Sequence, residues 1–151
     1  FLCENNLYGM GSPVSKVSAY KDIYKLGEPY GTPSLQIDGM DVLAVRSTLR
    51  DVVAKVRKGD GPYFIEAIAY RFRGHSMADP SEYRDKQEEA YWKERDPITA
   101  LRDLLIHKHG VSTEELDSID VEIDSRIEAA VTFANESPFP DKKELYEDII
   151  G

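Results

Sequence analysis

Residues 62–70 read PYFIEAIAY, and this segment decides the fold that we expect for the chain. The run is apolar almost throughout, and only Glu66 interrupts it. Strands that are apolar on both faces are typical of parallel sheets, because helices cover both sides of such a sheet. We therefore predict a buried strand over residues 62–70, within a sheet that helices enclose.

The segments before this strand alternate between strand and helix signals. FLCEN (1–5) and SLQIDG (34–39) are two further strand candidates. Between Asp41 and Lys58, apolar residues recur at helical spacing, at Val42, Val45, Leu49, Val52, Val53 and Val56. Asp41 is placed to cap this helix and Gly59 to end it. The order strand, helix, strand, helix, strand predicts an α/β fold in which helices cover a parallel sheet.

After the third strand, the sequence predicts a loop and then three helices. The loop, RFRGHSMADPSEYRD (71–85), is polar and shows neither strand nor helix periodicity. The helix candidates are KQEEAYWKE (86–94), a segment from the Asp96 cap and Pro97 to Gly110, and a segment opened by the capping box of Ser112 and Glu115. The third helix carries an apolar stripe of Leu116, Ile119, Ile123, Ile127, Ala130 and Val131. Residues 137–151 read as an extended tail with a short apolar end.

Composition excludes several classes of function. Nineteen basic and twenty-eight acidic residues give a net charge of −9, which argues against a nucleic-acid partner. Cys3 is the only cysteine, so neither an intrachain disulfide nor a cysteine-based zinc site can form. No apolar run approaches the length that spans a bilayer, and the first residues lack a secretory signal. We expect a protein that is neither membrane-bound nor secreted, although a targeting segment could precede Phe1.

Ligand sites in open parallel sheets lie at the carboxyl ends of the strands, and two segments of this chain follow predicted strands there. In the first, ENNLYGMG (4–11), Asn5, Asn6 and the backbone carbonyls of the turn offer neutral oxygens. Mg²⁺ accepts such ligands when phosphates complete its coordination. The alternative is that the two asparagines only form the turn.

The second segment is the loop after residue 70. It groups side chains that can bind or transfer protons: Arg71, Arg73, His75, Ser76, Asp79, Tyr83 and Arg84. Two arginines near a histidine suit an anionic ligand, since guanidinium groups bind phosphate or carboxylate through paired hydrogen bonds. A solvated loop whose arginines pair with nearby acids remains the other interpretation.

Four segments together resemble a known family. They are CENNLYGMG (3–11), LQIDGMDVLAVR (35–46), GPYFIEAIAYRFRGHSMADP (61–80) and YWKERDPI (91–98). In this order they resemble the alpha subunit of the thiamine-diphosphate-dependent pyruvate dehydrogenase component, in the 2-oxo acid dehydrogenase alpha family. The resemblance is collinear from Phe1 to about Ile98 and weaker to near Asn135.

The resemblance implies the C-terminal part of a thiamine-diphosphate-binding fold, followed by a helical C-terminal region. Residues 1–84 would belong to the cofactor-binding α/β domain, with an active-site loop at about 71–84, and residues 85–151 would form a helical extension packed on the same domain, with the tail. The family's cofactor motif has two halves, and only the asparagine half is present. We expect the Gly-Asp-Gly half, with an aspartate ligand for the metal, to precede Phe1. Gly59-Asp60-Gly61 follows the asparagine segment and reads as a turn.

Site residues follow from the same resemblance. Asn6, through its side chain, and Tyr8, through its backbone carbonyl, would be ligands of a Mg²⁺ that holds the cofactor diphosphate. Arg71 would approach the diphosphate. His75 would also belong to the cofactor-binding residues, and it matches a histidine implicated in transfer of the acyl group to lipoamide. Ser76 aligns with a serine that a kinase phosphorylates in mitochondrial members.

The loop also departs from the mitochondrial pattern. It is one residue shorter between Pro80 and Tyr83, and Glu82 stands where a second phosphorylatable serine would be. This leaves phosphorylation of Ser76 open, and Asp79, Tyr83 and Arg84 stay beside it as possible regulatory or loop residues. The loop resembles bacterial, cyanobacterial and plastid members more closely, so we expect a bacterial cytoplasm or an organelle interior, either plastid stroma or mitochondrial matrix.

The implied activity is oxidative decarboxylation of pyruvate and reductive acetylation of lipoyl groups, with thiamine diphosphate and Mg²⁺. The implied partners are a beta subunit, in an α₂β₂ assembly, and a lipoyl-bearing acyltransferase. This chain alone is expected to be inactive. The alternatives are the alpha subunit of a branched-chain 2-oxo acid or acetoin dehydrogenase and, in another class, a non-catalytic acidic interaction module.

Overall fold

The computed structural model describes residues 1–149. The strands are β1 (Leu2–Asn5), β2 (Tyr8–Gly9), β3 (Ser12–Pro13), β4 (Ser34–Asp38) and β5 (Phe64–Ile68). β1, β5 and β4 form a parallel sheet in that order, and β2 and β3 form a small antiparallel hairpin. The predicted α/β class with a parallel sheet is therefore confirmed.

β5 lies in the centre of the sheet and supplies most of its buried surface. Ile65 and Ala67 pack with Ile37 of β4 and with Val52, and all four are buried. The strand is shorter than the predicted 62–70, in part because Pro62 has no N–H to donate to a neighbouring strand. Burial on both faces explains why this segment is nearly free of polar side chains.

The connection between β1 and β4 differs from the predicted helix. It consists of the β2–β3 hairpin, a single helical turn α1 (Val14–Val17) and a 3₁₀ helix, Ile23–Tyr30. Pro29 lies inside the 3₁₀ helix, and Gly31 ends it with a φ of +64°. Closely spaced glycine and proline residues do not permit a longer α-helix here.

The helix after β4 is confirmed as α2 (Val42–Arg57). The Asp41 carboxylate accepts hydrogen bonds from the backbone N–H groups of Leu43 and Ala44, at 2.9 and 3.0 Å. Gly59 follows the helix with a φ of +92°, a conformation that glycine adopts without strain. The apolar face of α2 packs on the sheet.

The three later helices are also confirmed. They are α3 (Lys86–Glu94), α4 (Pro97–His109) and α5 (Thr113–Glu136). The Asp96 carboxylate accepts from the N–H of Ile98 at 2.8 Å, and the Ser112 hydroxyl accepts from the N–H of Glu115 at 3.1 Å. Both caps therefore lie where the sequence predicted them.

The tail is not extended throughout, because a 3₁₀ helix, Lys142–Tyr146, follows α5. A capping box between Asp141 and Glu144 opens it. Residues 150 and 151, at the end of the predicted apolar segment, lie outside the described range.

Two compact units divide the chain, one from Phe1 to Asp103 and a second from Leu104 onwards. The predicted domain boundary between residues 84 and 85 stays a prediction. The first unit contains a second small core in which Met40, Tyr70 and Trp92 are buried. Within residues 1–149, we find no helix of the length and apolarity that crossing a membrane requires.

Candidate functional site

The two candidate segments leave the carboxyl ends of neighbouring strands. β1 and β5 are parallel, with Asn5 opposite Ile68. The turn after β1 and the loop after β5 therefore start side by side at one edge of the sheet. This placement follows from the parallel topology and was the basis for selecting both segments.

A cavity of about 460 Å³ lies between the turn and the loop. Its lining residues are Asn6, Tyr8, Gly9, Met10, Arg71, His75, Tyr83 and Arg84. Six of the ten candidate residues predicted from the sequence line this cavity, and they come from two segments that are more than sixty positions apart in the chain. The four others, Asn5 in the turn and Arg73, Ser76 and Asp79 in the loop, do not line the cavity.

Both asparagines of the turn make local hydrogen bonds. The Asn5 side chain is buried, and its oxygen accepts from the N–H of Leu7 at 3.1 Å. The Asn6 side-chain oxygen accepts from the N–H of Tyr8 at 3.3 Å. Leu7 adopts a left-handed φ of +71°, which is strained for a residue with a Cβ, so the turn depends on these contacts. Asn5 acts as a turn former, whereas Asn6 also faces the cavity.

Tyr8 is fixed by its side chain. Its hydroxyl donates to the Glu88 carboxylate of α3 at 2.6 Å, and this hydrogen bond is the main cause that raises the Tyr8 pKa to about 12. The ring also contacts Tyr70 edge-on, with centroids 6.4 Å apart. The phenol is therefore engaged structurally, and Tyr8 is held beside the cavity that it lines.

Arg84 connects the segments that form the cavity. It is buried, with 6% of its surface exposed, and its Nη1 donates to the backbone carbonyl of Arg71 at 2.6 Å. The guanidinium carbon lies 5.4, 5.2 and 5.6 Å from the ring centroids of Tyr8, Tyr70 and Tyr83. Such contacts are favourable because a cation is attracted to the face of an aromatic ring. Arg84 thus joins the β1 turn, the end of β5 and the loop.

Asp79 organises the loop from inside. Its carboxylate accepts hydrogen bonds from the Tyr83 hydroxyl at 2.7 Å and from the N–H groups of His75 and Ser81 at 2.6 and 2.9 Å. These bonds, that of Tyr83 foremost, lower the Asp79 pKa to about 2. A Cβ on Gly74 would lie 2.7 Å from the Asp79 backbone oxygen, so only glycine fits there. This packing places His75 beside the cavity.

The described lining of the cavity is positive, although the chain as a whole is acidic. It contains two arginines and a histidine but no carboxylate. Arg71 also donates from Nη2 to the His75 carbonyl at 3.1 Å, which leaves its other nitrogens available to a ligand. The arrangement suits an anion such as a diphosphate, since guanidinium groups form paired hydrogen bonds with phosphate oxygens.

The oxygens of Asn6 and Tyr8 can bind a hard cation only if further ligands complete its coordination. Within residues 1–149, no three His, Cys, Asp or Glu side chains gather closely enough to hold a metal ion. The Asn6 side chain and the Tyr8 carbonyl are neutral oxygens, which Mg²⁺ accepts together with phosphate oxygens. The residues present therefore fit a metal bound jointly with a phosphorylated ligand.

Sequence reasoning named Arg84 as a loop residue but missed its contacts, and it missed Glu66 as a contributor to the site. Besides its neighbour Tyr83, Arg84 contacts Tyr70 and the distant Tyr8, and no local pattern indicates these two contacts. In the sequence, Glu66 only interrupts an apolar strand. In the structure it is fully buried, and it orients the Asn5 side chain by accepting a 2.7 Å hydrogen bond from it. The signal in the sequence was a carboxylate within an apolar strand, because a charged side chain that is buried there needs hydrogen-bond partners.

Comparison with known proteins identifies relatives over nearly the whole chain. The family model described as dehydrogenase E1 component matches residues 1–143. The chloroplastic pyruvate dehydrogenase E1 component subunit alpha-3 of Oryza sativa subsp. japonica is 42% identical over 100% of this chain and 36% of that protein. The subunit alpha of Rickettsia typhi is 39% identical over 99% of this chain and 46% of that protein.

A mitochondrial relative agrees with these two. The somatic form of the pyruvate dehydrogenase E1 component subunit alpha of Homo sapiens is 44% identical over 96% of this chain and 37% of that protein. The chain thus spans about a third to a half of the length of these relatives. The resemblance inferred from the four sequence segments is confirmed, and the chain belongs to the dehydrogenase E1 component family.

Proposed function

We propose that this chain is part of the alpha subunit of a pyruvate dehydrogenase component, which oxidatively decarboxylates pyruvate and reductively acetylates lipoyl groups. The observation that carries the proposal is the meeting of Asn6, Tyr8, Arg71 and His75 at one positive cavity. The names of the relatives, which match 96% or more of this chain, support pyruvate as the substrate.

The family implies dependence on thiamine diphosphate. When bound, this cofactor supplies the electron sink that loss of CO₂ from a 2-oxo acid requires. Asn6, through its side-chain oxygen, and Tyr8, through its carbonyl, would bind a Mg²⁺ held together with the diphosphate. Arg71 would donate hydrogen bonds to the diphosphate, and the buried charge of Arg84 would add to the attraction.

His75 would act in the transfer of the acyl group to the lipoyl carrier. Its side chain is exposed and lines the cavity, so a carrier from another protein could reach it. An imidazole can donate a proton to the sulfur that leaves when the lipoyl disulfide is reduced. The hydrogen bond from its backbone N–H to Asp79 fixes its position.

The proposed enzyme also implies partner proteins and a cellular location. A beta subunit would complete the site in an α₂β₂ assembly, and a lipoyl-bearing acyltransferase would receive the acyl group. The relatives are named chloroplastic or mitochondrial, or come from bacteria. We therefore propose an organelle interior or a bacterial cytoplasm for this protein.

Calorimetry with thiamine diphosphate and Mg²⁺ tests the proposal. We expect no binding and no activity with this chain alone, because half of the predicted cofactor motif is outside it. We expect binding by a full-length alpha subunit that carries this sequence and is assembled with its beta subunit. Absence of binding by the complete assembly would reject the enzyme and favour the acidic interaction module.

Two substitutions separate the proposed roles within the assembled enzyme. Asn6→Ala should weaken cofactor affinity about tenfold or more, because it removes a metal ligand. His75→Ala should lower lipoyl acetylation by about 10²-fold or more while cofactor affinity stays within about twofold. The measurements are calorimetric affinity and steady-state reduction of a lipoyl domain. Wild-type behaviour of both variants would contradict the assignment.

A further inference from the structure

Glu66 is a buried carboxylate that the proposed function does not use. It has no exposed surface and lies on the central strand β5. Its Oε1 accepts from the Asn5 side-chain nitrogen at 2.7 Å. Its Oε2 accepts from the backbone N–H of Tyr24 and from the Gln36 side-chain nitrogen, both at 3.0 Å. Glu66 therefore connects β5 with both neighbouring strands and with the 3₁₀ helix Ile23–Tyr30.

Two backbone donors fix the direction of every hydrogen bond in this network. The N–H of Leu7 needs an acceptor, so the Asn5 side chain must turn its oxygen to Leu7 and its nitrogen to Glu66. The N–H of Tyr24 likewise needs an acceptor on the other side. Glu66 must accept on both oxygens, which a carboxylate can do and an amide of the same shape cannot.

The network ends at the turn that carries the proposed metal ligands. Asn5 holds Leu7 in its left-handed conformation, and Asn6 and Tyr8 flank Leu7. We propose that Glu66 is a positioning residue, which orients Asn5 and through it sets the Asn6 side chain and the Tyr8 carbonyl for the magnesium diphosphate. The identity of the ligand in this inference rests on the proposed function. The hydrogen bonds by which Glu66 positions the turn are independent of it.

The Glu66→Gln substitution tests the requirement for two acceptors. Its amide nitrogen would face either Asn5 or the N–H of Tyr24, and a donor would then face a donor. A buried donor without a partner is costly, so the turn should lose its fixed geometry. We expect affinity for thiamine diphosphate with Mg²⁺ to fall about tenfold or more, with kcat at saturating cofactor changed by less than about threefold.

A reversed pair provides the decisive comparison. Asn5→Asp alone replaces the amide that donates to Glu66 with a second carboxylate, and the two carboxylates repel each other. It should weaken cofactor affinity at least as much as Glu66→Gln does. In the double variant Asn5→Asp with Glu66→Gln, the new amide donates to the new carboxylate, which still accepts from Leu7. Every donor again has an acceptor and the charge is unchanged. We expect the cofactor affinity of the double variant to lie within about threefold of wild type. The effects of the two single substitutions would then not add.

Gln36→Met is the matched control. It removes a donor from the same carboxylate, but Gln36 is exposed and lies away from the turn, and the N–H of Tyr24 still reaches Oε2. We expect its cofactor affinity to stay within about twofold of wild type, even where its melting temperature falls. A loss of affinity equal to that of Glu66→Gln would show general destabilisation and would overturn the inference.

The experiment uses the full-length alpha subunit assembled with its beta subunit. Calorimetry gives the affinities, and hydrogen exchange without cofactor gives the protection of residues 6–8, which should fall in both single variants and recover in the double variant. If Glu66→Gln does not assemble, the double variant decides, and its failure to assemble or to bind would reject the positioning role. If wild type failed to bind cofactor, the proposed function would be rejected, while the exchange data would still test the network.

Discussion

The guanidinium of Arg84 contacts three tyrosine rings and a backbone carbonyl, and a lysine cannot reproduce this set. A planar, delocalised cation can face several rings and donate in a fixed direction, whereas an ammonium group is a compact, strongly hydrated charge. Tyr8, Tyr70 and Tyr83 come from separate segments. The residue therefore combines a structural role with a contribution to the positive potential of the cavity.

Arg84→Lys should lower the free energy of unfolding by about 1–3 kcal/mol, because it loses the ring contacts and weakens the hydrogen bond to Arg71. Denaturant unfolding of the full-length subunit measures this change. Arg73→Lys, at an exposed arginine of the same loop, is the control and should change stability by less than about 0.5 kcal/mol. Equal effects of the two substitutions would argue against the special role of Arg84.

Asp79 gives the loop a defined pH dependence. Its pKa is lowered from an ordinary value of 3.8 to about 2, so the carboxylate stabilises the loop fully above about pH 4. This contribution is lost as the pH falls through about 2. At neutral pH the three donors that face Asp79 are all satisfied.

Asp79→Asn should release the loop, because an amide places two N–H donors where only acceptors fit. We expect residues 71–84 to be cleaved roughly tenfold faster by a protease at neutral pH. Hydrogen exchange should show a ratio of wild-type to variant protection that is constant above about pH 4 and declines towards pH 2. Equal protection at neutral pH would contradict this account of the loop.

At the scale of elements, the backbone at Gly74 lies close to Asp79 and leaves no room for a side chain. Its missing Cβ leaves room for the backbone of Asp79, and a methyl group there would lie within 2.9 Å of the Asp79 side-chain carbons as well. The loop must therefore move as a unit if this position is enlarged. His75, which follows directly, would move with it.

Gly74→Ala should displace the loop and lower lipoyl acetylation by about tenfold or more, because small misplacements of a catalytic group are costly. Cofactor affinity should fall less, since Asn6 and Tyr8 belong to the other segment. Gly11→Ala is a useful comparison, because that glycine does not need a left-handed φ and an added Cβ would make only an ordinary contact, 3.6 Å from the Tyr83 ring. An active Gly74→Ala enzyme would show that the loop tolerates the displacement.

Elements with strong local signals could be predicted from the sequence. The cap at Asp41, the apolar run of β5 and the cap at Ser112 each determine structure within a few residues. α5 was predicted this way although its apolar residues, such as Ile119 and Ile127, are largely exposed. The connection before β4 was mispredicted because its glycine and proline residues permit only short turns.

The site was predictable to the same extent. The strand-end rule and the resemblance selected Asn6 and His75, because both stand in short segments that carry their own signal. The contacts of Arg84 and the network of Glu66 depend on residues from several strands and turns. Such contacts arise only when the sheet has brought those segments together, so local sequence patterns do not contain them.

At the scale of the whole molecule, the net charge of the chain and the charge of its cavity have opposite signs. The chain carries a net charge of −9, yet its described cavity lining is positive, so the ligand is selected locally rather than by overall charge. The cavity residues of this chain face the proposed diphosphate. The part of the site that contacts the 2-oxo acid would then lie partly on the beta subunit.

Reconstituted enzyme should therefore be assayed with its own beta subunit, and we expect kcat/KM for pyruvate to exceed that for 2-oxoisovalerate by about tenfold or more. Each extra methyl or methylene group that a pocket excludes changes selectivity by about 1–3 kcal/mol, and the branched acid carries two more carbons. Steady-state decarboxylation of both acids, with acetoin as a third substrate, measures the preference. Cofactor affinity should be the same in all three assays, because the contacts proposed for Asn6, Tyr8 and Arg71 are with the diphosphate and metal and not with the substrate. A strong preference for the branched acid or for acetoin would keep the family assignment and replace the proposed substrate.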